Sequence, residues 1–157
     1  MKKLTHLDTR GEASMVDVSA KPVMLREAVA SGEVRLQRAT LKLIQSQTIA
    51  KGNVLAAARL AGILAAKKTG ELIPLCHPLP LTNVEVNAKV TDKTTVEVSA
   101  TVKTKAQTGV EMEALAAVSM ALLTVWDMTK QYEKDANGQY PSTAIENIHV
   151  VKKFKQA

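Results

Sequence analysis

Asp127 and Lys130 are the side chains in this sequence best placed for proton transfer. They are three positions apart, so in a helix they share one face. Asp127 directly follows the mostly apolar run from Ala114 to Trp126, which predicts a partly desolvated carboxylate. Lys130 could hold that carboxylate ionised or exchange a proton with it. The alternative is a surface ion pair, which contributes about a few tenths of a kcal/mol.

Lys51 precedes Gly52 and Asn53 at the start of a predicted helix. A lysine gains nothing from the helix dipole at this end, which favours anions. A bound phosphate, however, would interact with the dipole, the backbone N–H groups and the ammonium together. The sequence therefore indicates an anion site at Lys51, with an ordinary surface lysine as the alternative.

His77 lies in a loop, residues 72–80, that contains three prolines. Prolines restrict the backbone before them to extended conformations, so the loop is pre-ordered. A histidine held this way can transfer a proton or donate a hydrogen bond, although a histidine at the edge of the core is equally compatible. Cys76, the only cysteine, is interpreted as a small buried residue. No Cys/His spacing typical of zinc occurs, and we expect no metal site.

Glu111 and Glu113 fall in the first turn of the longest predicted helix. One alternative is that they only stabilise the helix, because its dipole favours negative charge at that end. Residues two positions apart in a helix point in directions that differ by about 200° around its axis. Glu111 and Glu113 therefore do not form a carboxylate dyad. Asp127 is on nearly the same stripe as Glu113 but about 21 Å further along. If both serve one small ligand, we expect the site to be shared between two chains.

The hydrophobic periodicity predicts an α+β fold in one domain, residues 1–157, with long helices packed on an antiparallel sheet. The clearest signal is a hairpin in which Val, Ala and polar residues alternate. The predicted elements, in chain order, are a strand or extended arm at 14–21 with Asp17, Ser19 and Lys21 on one face, helices at 22–31, 38–50 and 53–68, an irregular loop at 71–80, the hairpin strands 82–90 and 95–103, a helix at 109–133, a loop at 137–141 and a strand at 144–151.

Composition narrows the class of protein. Only 3% of the residues are aromatic, so Ala, Val, Leu, Ile and Met must build the core. Two predicted helices are apolar on nearly every side, which indicates that a partner subunit covers one face of each. A single cysteine, no secretory signal and no apolar run long enough to span a bilayer favour the cytoplasm, with no membrane partner.

The net charge of +6 points to an anionic partner. One alternative is therefore a basic nucleotide- or RNA-binding oligomeric module without catalysis. Such modules interleave aromatic and basic residues for base stacking, a pattern that this chain lacks, so we expect no nucleic-acid partner. A purely structural subunit is a further alternative, but it would not need Lys51, His77 and Asp127 in these settings.

Read together, several runs resemble those of the cyclic pyranopterin monophosphate synthases, in order over about residues 5–130. The two longest are Ile73 to Leu79 and Gly109 to Leu115. Shorter matches are Met15 to Lys21, Lys51-Gly52, Ala65 to Thr69, and Asp127 to Lys130.

This resemblance implies conversion of (8S)-3′,8-cyclo-7,8-dihydroguanosine 5′-triphosphate to cyclic pyranopterin monophosphate and diphosphate, an early step of molybdenum cofactor biosynthesis. It also implies a ferredoxin-like subunit and a homohexamer, a trimer of dimers, with sites between subunits. No resident cofactor is implied, although Mg²⁺ could accompany the triphosphate.

The resemblance also assigns roles to individual residues. Asp127 matches the catalytic acid/base, with Lys51 and Lys130 as functional lysines. The substrate-binding positions are Leu75, Cys76, His77, Met112 and Glu113 with neighbouring Glu111, and Asp17 and Lys21 as further pocket residues. The sequence departs from the family at its C-terminus, where Lys153 is the counterpart of a tail lysine that approaches the substrate, and at Asn53, where aspartate is common.

Overall fold

A computed structural model describes residues 10–156 as an α+β unit in which helices cover one face of a four-stranded sheet. The sheet order is β2-β3-β1-β4, and every pair of neighbouring strands is antiparallel. The α+β prediction is confirmed. The elements are β1 Met24–Arg35, α1 Arg38–Gln45, α2 Val54–Leu72, β2 Leu81–Val90, β3 Thr95–Ala106, α3 Glu111–Glu133 and β4 Ala144–Gln156.

The two faces of the sheet differ in polarity, as strand alternation requires. Ala28, Ala30 and Val34 of β1 point into the core, together with Val96 and Val98 of β3. The opposite face carries charged cross-strand pairs; Glu27 lies opposite Lys103, and their side chains form an ion pair of 3.2 Å. The predicted hairpin at 82–90 and 95–103 is confirmed by β2 and β3, which are slightly longer.

Small residues allow α2 and α3 to approach each other and the sheet closely. A Cβ built on Gly62 of α2 would lie 2.9 Å from the carbonyl oxygen of Ala117 in α3. Along α3, Ala114, Ala117 and Ala121 are fully buried. A core of Ala, Val and Leu, almost without aromatic residues, therefore depends on close backbone approach.

The predicted helix at residues 22–31 is wrong, because residues 24–31 belong to β1, an interior strand of the sheet. Its alanines and Glu27 favour a helix, but tertiary packing overrides that preference. On the inward face Ala28 and Ala30 precede Gly32, where an added Cβ would lie 2.9 Å from side-chain carbons of Leu122 and Ile148. These small residues make room for α3 rather than forming a helix face.

Three other boundaries differ from the prediction. Helix α1 ends at Gln45 rather than residue 50, and Gln47 then adopts a left-handed backbone with φ 57°. Helix α2 continues past Gly70 to Leu72, and β4 continues to Gln156. Residues 14–21 form the extended arm, with a turn at 19–20 instead of a regular strand.

Large apolar side chains remain exposed on the outer surface of α2 and α3. Leu60 and Leu64 of α2 are 64% and 57% exposed, and Leu123 of α3 is 52% exposed. Within residues 10–156, α3 is the one helix long and apolar enough to cross a membrane by length and composition. Half of that stretch is buried in the subunit, and core helices of soluble proteins meet the same criterion.

Candidate active site

Asp127 contacts two lysine ammonium groups near the C-terminal end of α3. Lys130 Nζ lies 2.7 Å from Asp127 Oδ1, one helical turn away. Lys51 Nζ lies 2.8 Å from Asp127 Oδ2 and also 2.8 Å from the Asp127 backbone oxygen. We call these three residues the acid–lysine cluster. The structure thus brings together the three residues predicted to be catalytic.

The two lysines lower the pKa of Asp127 to about 2, through the Lys130 hydrogen bond first and the Lys51 bond second. In return, Asp127 raises the pKa of Lys130. Partial desolvation of Asp127, expected from the apolar run before it, is wrong for the single subunit. The Asp127 side chain is 57% exposed, because it projects from the same uncovered face of α3 as Met120 and Leu123.

Lys51 is positioned by the link between α1 and α2. Ile49 is buried, the Gly52 N–H donates to its carbonyl at 2.9 Å, and Gly52 has φ 98°. The Ala50 N–H donates to the Tyr132 hydroxyl of α3 at 3.0 Å. Asn53 caps α2 by accepting from the Ala56 N–H at 3.0 Å. These contacts hold the link against α3, which directs Lys51 toward Asp127.

A second candidate region is a cleft of about 550 Å³ beside the N-terminal end of α3. This volume is within the usual range for small-molecule sites. His77 binds the arm at residues 14–21 through a 2.8 Å hydrogen bond between its Nε2 and the Val16 carbonyl. We call this region the loop cleft; its walls include the predicted binding residues Lys21, Leu75, Cys76, His77, Glu111 and Met112.

Glu113 lies behind Cys76 and is only 2% exposed. The Cys76 thiol is 3.9 Å from Glu113 Oε1, and Glu113 Oε2 has no hydrogen-bond partner among the described residues. Burial raises the pKa of Glu113, and burial next to Glu113 raises the pKa of the Cys76 thiol. Glu111 instead turns outward to Lys153, 2.9 Å away. The prediction that the two glutamates are not a dyad fits these separate partners.

A basic groove of about 520 Å³ continues from the loop cleft, with which it shares Lys21, Thr108, Gly109 and Glu111. Lys153 lines it, as expected for the tail-lysine counterpart. The sequence reasoning missed Arg26, whose guanidinium donates to the Gln107 carbonyl at 3.1 Å, while its buried Nε has no hydrogen-bond partner within residues 10–156. Because Arg26 fell in a segment predicted as helix, no pattern could place it beside residues 107–109.

Asp17, like Glu113, is a predicted binding residue that does not line either region. Its carboxylate caps the turn of the arm, accepting from the Ser19 hydroxyl at 2.6 Å and the Ser19 N–H at 2.8 Å. These bonds, the hydroxyl bond first, lower the pKa of Asp17. Asp17 therefore stabilises the turn of the arm, and the arm places Val16 and Lys21 at the cleft.

The acid–lysine cluster and the loop cleft lie at opposite ends of α3. Fourteen residues separate Glu113 from Asp127, which corresponds to about 21 Å of helix. The single subunit therefore does not bring the two groups of predicted residues together. Within the described residues, no group of three or more His, Cys, Asp and Glu side chains could hold a metal ion.

The chain is similar to known proteins over nearly its full length. The model of the MoaC family matches residues 15–155. A protein of Thermococcus kodakarensis named probable cyclic pyranopterin monophosphate synthase is 56% identical over 155 residues, covering 99% of this chain and 98% of its own length. A Thermococcus onnurineus protein of the same name is 55% identical, covering 99% of both chains.

A third relative, from Methanothermobacter thermautotrophicus, is named probable cyclic pyranopterin monophosphate synthase accessory protein; it is 54% identical and covers 99% of this chain and 96% of its own length. These matches extend over the arm, the loop cleft, the acid–lysine cluster and β4. The chain belongs to the MoaC family.

Proposed function

We propose that the protein is a lyase that converts (8S)-3′,8-cyclo-7,8-dihydroguanosine 5′-triphosphate to cyclic pyranopterin monophosphate and diphosphate in molybdenum cofactor biosynthesis. The observation that carries this proposal is the full-length similarity to proteins of that name. The acid–lysine cluster and the loop cleft supply groups that the reaction needs. A basic RNA-binding module, the alternative considered from net charge, is not favoured by the family match.

The chemistry divides naturally between the two parts of the site. Opening the guanine-derived ring and closing the pterin require proton transfers, for which Asp127 and His77 are the candidate groups. Forming the cyclic phosphate expels diphosphate, so charge develops on phosphate oxygens and must be met by cations. Lys51, Lys130 and the basic groove with Lys21, Arg26 and Lys153 supply those cations.

The catalytic site is composite in this proposal, with the acid–lysine cluster of one subunit completing the loop cleft of another. The uncovered face of α3 supports it, because Asp127 and Lys130 share that face with the exposed Met120 and Leu123. An exposed apolar patch of this kind marks an interface. We propose a homohexamer, a trimer of dimers. We also propose that each subunit is ferredoxin-like, which is supported by the sheet order β2-β3-β1-β4 and by the element order β-α-α-β-β-α-β, a β-α-β-β-α-β pattern with the additional short helix α1.

We also propose that the protein has no resident cofactor and acts in the cytoplasm. The lysines and the basic groove act as the cations, so the protein needs no resident cofactor, and Mg²⁺ enters only with the triphosphate. Cys76 is a free, half-buried thiol, which suits the reducing cytoplasm.

The test is direct turnover. Purified protein supplied with the cyclic guanosine triphosphate substrate should release diphosphate and yield a product that oxidises to a fluorescent pterin. Asp127→Ala should abolish both signals while the oligomer, measured by light scattering, stays unchanged. A well-folded oligomer that releases no diphosphate would contradict the assignment.

A further inference from the structure

Lys51 lies in a short segment, residues 46–53, that connects α1 to α2. In the middle of this segment the Gly52 N–H donates to the Ile49 carbonyl at 2.9 Å, which closes a tight turn. Ala50 and Lys51 are the two central residues of that turn. The way the turn lies on α3 therefore determines where the Lys51 side chain begins.

The turn meets α3 at two points. The Ala50 N–H donates to the Tyr132 hydroxyl at 3.0 Å, and the Lys51 ammonium contacts two oxygens of Asp127 at 2.8 Å. Tyr132 follows Asp127 by five residues, which is about 7.5 Å along the helix axis. Within residues 10–156, the Ala50 bond is the one hydrogen bond from this segment to α3 that Lys51 does not make itself. Two separated contacts fix both the place and the direction of the turn.

Tyr132 is suited to hold the turn, because its ring packs against the hydrophobic core and its oxygen therefore has little freedom. The same helix carries Asp127, so one rigid element sets the positions of the phenol oxygen and the carboxylate. Lysine, by contrast, has a flexible four-carbon stem. The Lys51 ammonium stays on Asp127 only if the backbone that carries it is held in place.

We propose that Tyr132 is a positioning residue of the acid–lysine cluster: by accepting the Ala50 N–H, its hydroxyl fixes the turn that places the Lys51 ammonium on Asp127. Loss of the hydroxyl leaves Lys51 and Asp127 in the chain but releases the turn from one of its two contacts with α3. The ammonium then spends part of its time away from the carboxylate.

The contact can be tested without turnover. Tyr132→Phe removes one oxygen and keeps the ring. Acetic anhydride should then acylate Lys51 faster relative to the exposed Lys134 of the same molecule, by about fivefold, the factor that one net hydrogen bond contributes to an equilibrium. Tyr140→Phe is the matched control, since it removes the same atom from the other tyrosine, whose ring lies 5.5 Å from Trp126. Mass spectrometry of the digested protein measures both lysines. Unchanged Lys51 labelling in Tyr132→Phe would overturn the proposal.

A double-variant cycle at Asp127 separates positioning from a direct effect. Lys51 contributes to the low pKa of Asp127, second to Lys130. Tyr132→Phe should therefore raise the pKa of Asp127, by no more than Lys51→Ala does. The double variant should match Lys51→Ala alone, because the hydroxyl acts only through the lysine. The carboxyl ¹³C signal of Asp127 measures each midpoint, and additive increases would contradict the proposed route through Lys51.

The effect on catalysis rests on the proposed function, because it requires Lys51 to meet a reacting phosphate. With the cyclic guanosine triphosphate, Tyr132→Phe should lower kcat/KM about tenfold, since a misplaced group loses much of its effect. A slower Tyr132→Phe protein with the Lys51 labelling of the wild type would mean that the hydroxyl only stabilises the fold, and the proposal fails. Absence of turnover in the wild type would contradict the proposed function, while the labelling would still decide the role of Tyr132.

Discussion

Lys51 and Asp127 are 76 positions apart in the chain, yet the Lys51 ammonium lies 2.8 Å from both a carboxylate oxygen and the backbone oxygen of Asp127. The double contact fixes the ammonium against the end of α3, where Lys130 binds the other carboxylate oxygen at 2.7 Å. Both lysines are partly exposed. Two cations around one carboxylate therefore form a surface with net positive charge, suited to a phosphate.

Removal of Lys130 should raise the pKa of Asp127 from about 2 toward its ordinary value of 3.8, since the Lys130 hydrogen bond is the largest cause of the lowering. The carboxylate of the wild type stays ionised until the pH falls to about 2, and in Lys130→Ala it should protonate at a higher pH. The carboxyl ¹³C signal of Asp127, followed from pH 1.5 to 6, measures the shift.

The same variant should lower kcat by about 10²–10³-fold, because one cation facing developing phosphate charge is lost. Lys134→Ala is the matched control, since Lys134 follows one turn later, is exposed and is not part of the acid–lysine cluster. Lys134→Ala should keep both the Asp127 titration and kcat of the wild type. Equal losses in the two variants would mean that general surface charge, rather than the Asp127 contact, matters.

Mixed oligomers should recover activity if the site is composite. Asp127→Ala lacks the acid–lysine cluster and His77→Ala lacks part of the loop cleft, so each alone is inactive. When the two chains are co-expressed with different affinity tags and assembled at random, about a quarter of the sites combine an intact cluster with an intact cleft. Diphosphate release by the doubly purified oligomer measures this fraction.

Two outcomes bear on that experiment. Recovered activity near a quarter of the wild type per subunit supports the shared site. Doubly tagged oligomers no more active than either parent would mean that one subunit supplies the whole site, against the separation of about 21 Å along α3.

Local patterns were sufficient for much of this fold. Alternation of Val and Ala predicts β2 and β3, and the apolar run before Asp127 predicts α3. The i, i+3 spacing also places Asp127 and Lys130 on one face. Each of these features depends on residues close in sequence, where periodicity is informative.

The features that sequence reasoning missed depend on distant contacts. Segment 24–35 becomes a strand because β3 and β4 pair on either side of it. Its small residues pack against α3, a contact that the neighbouring sequence does not reveal. Because this segment was assigned to a helix, the position of Arg26 in the basic groove was not predicted. The exposure of Asp127 was missed because an apolar run tells how much of a helix is buried, but not which side the subunit leaves uncovered.

Glu133→Gln should destabilise the fold. The Glu133 carboxylate accepts from the Gln37 N–H and the Thr143 hydroxyl, which joins the end of α3 to the start of α1 and to the segment before β4. An amide NH₂ in place of one oxygen leaves a buried donor facing a donor, at a cost of about 1–3 kcal/mol. Urea unfolding measures the change.

The matched comparison is Glu113→Gln, the same substitution at the other buried glutamate of the helix. Glu113 accepts from the Cys76 thiol at 3.9 Å and from its own backbone N–H, and a glutamine oxygen can still accept both bonds. This variant should therefore unfold within about 0.5 kcal/mol of the wild type. Equal destabilisation by the two substitutions would show that burial alone, rather than the Gln37 and Thr143 bonds, decides the cost.

Gly70→Ala should weaken substrate binding by moving the loop that packs against α2. A Cβ at Gly70 would lie 2.8 Å from the Pro78 Cα and 3.1 Å from the Pro78 nitrogen, so the loop that carries Leu75 to His77 must move. Overpacking of this kind costs about 1–3 kcal/mol. The gain in helix propensity from glycine to alanine, up to about 1 kcal/mol, offsets part of that cost. The net loss of stability is therefore about 0–2 kcal/mol.

The displaced loop is not compensated in the same way, because Leu75, Cys76 and His77 form the wall of the cleft itself. We expect KM for the cyclic guanosine triphosphate to rise about tenfold, as a binding surface shifted by a few tenths of an ångström loses aligned contacts. Glu71→Ala changes the exposed neighbour without approaching Pro78 and is the control. A normal KM in Gly70→Ala would mean that the loop adapts, and that its prolines rather than its contact with α2 set the shape of the cleft.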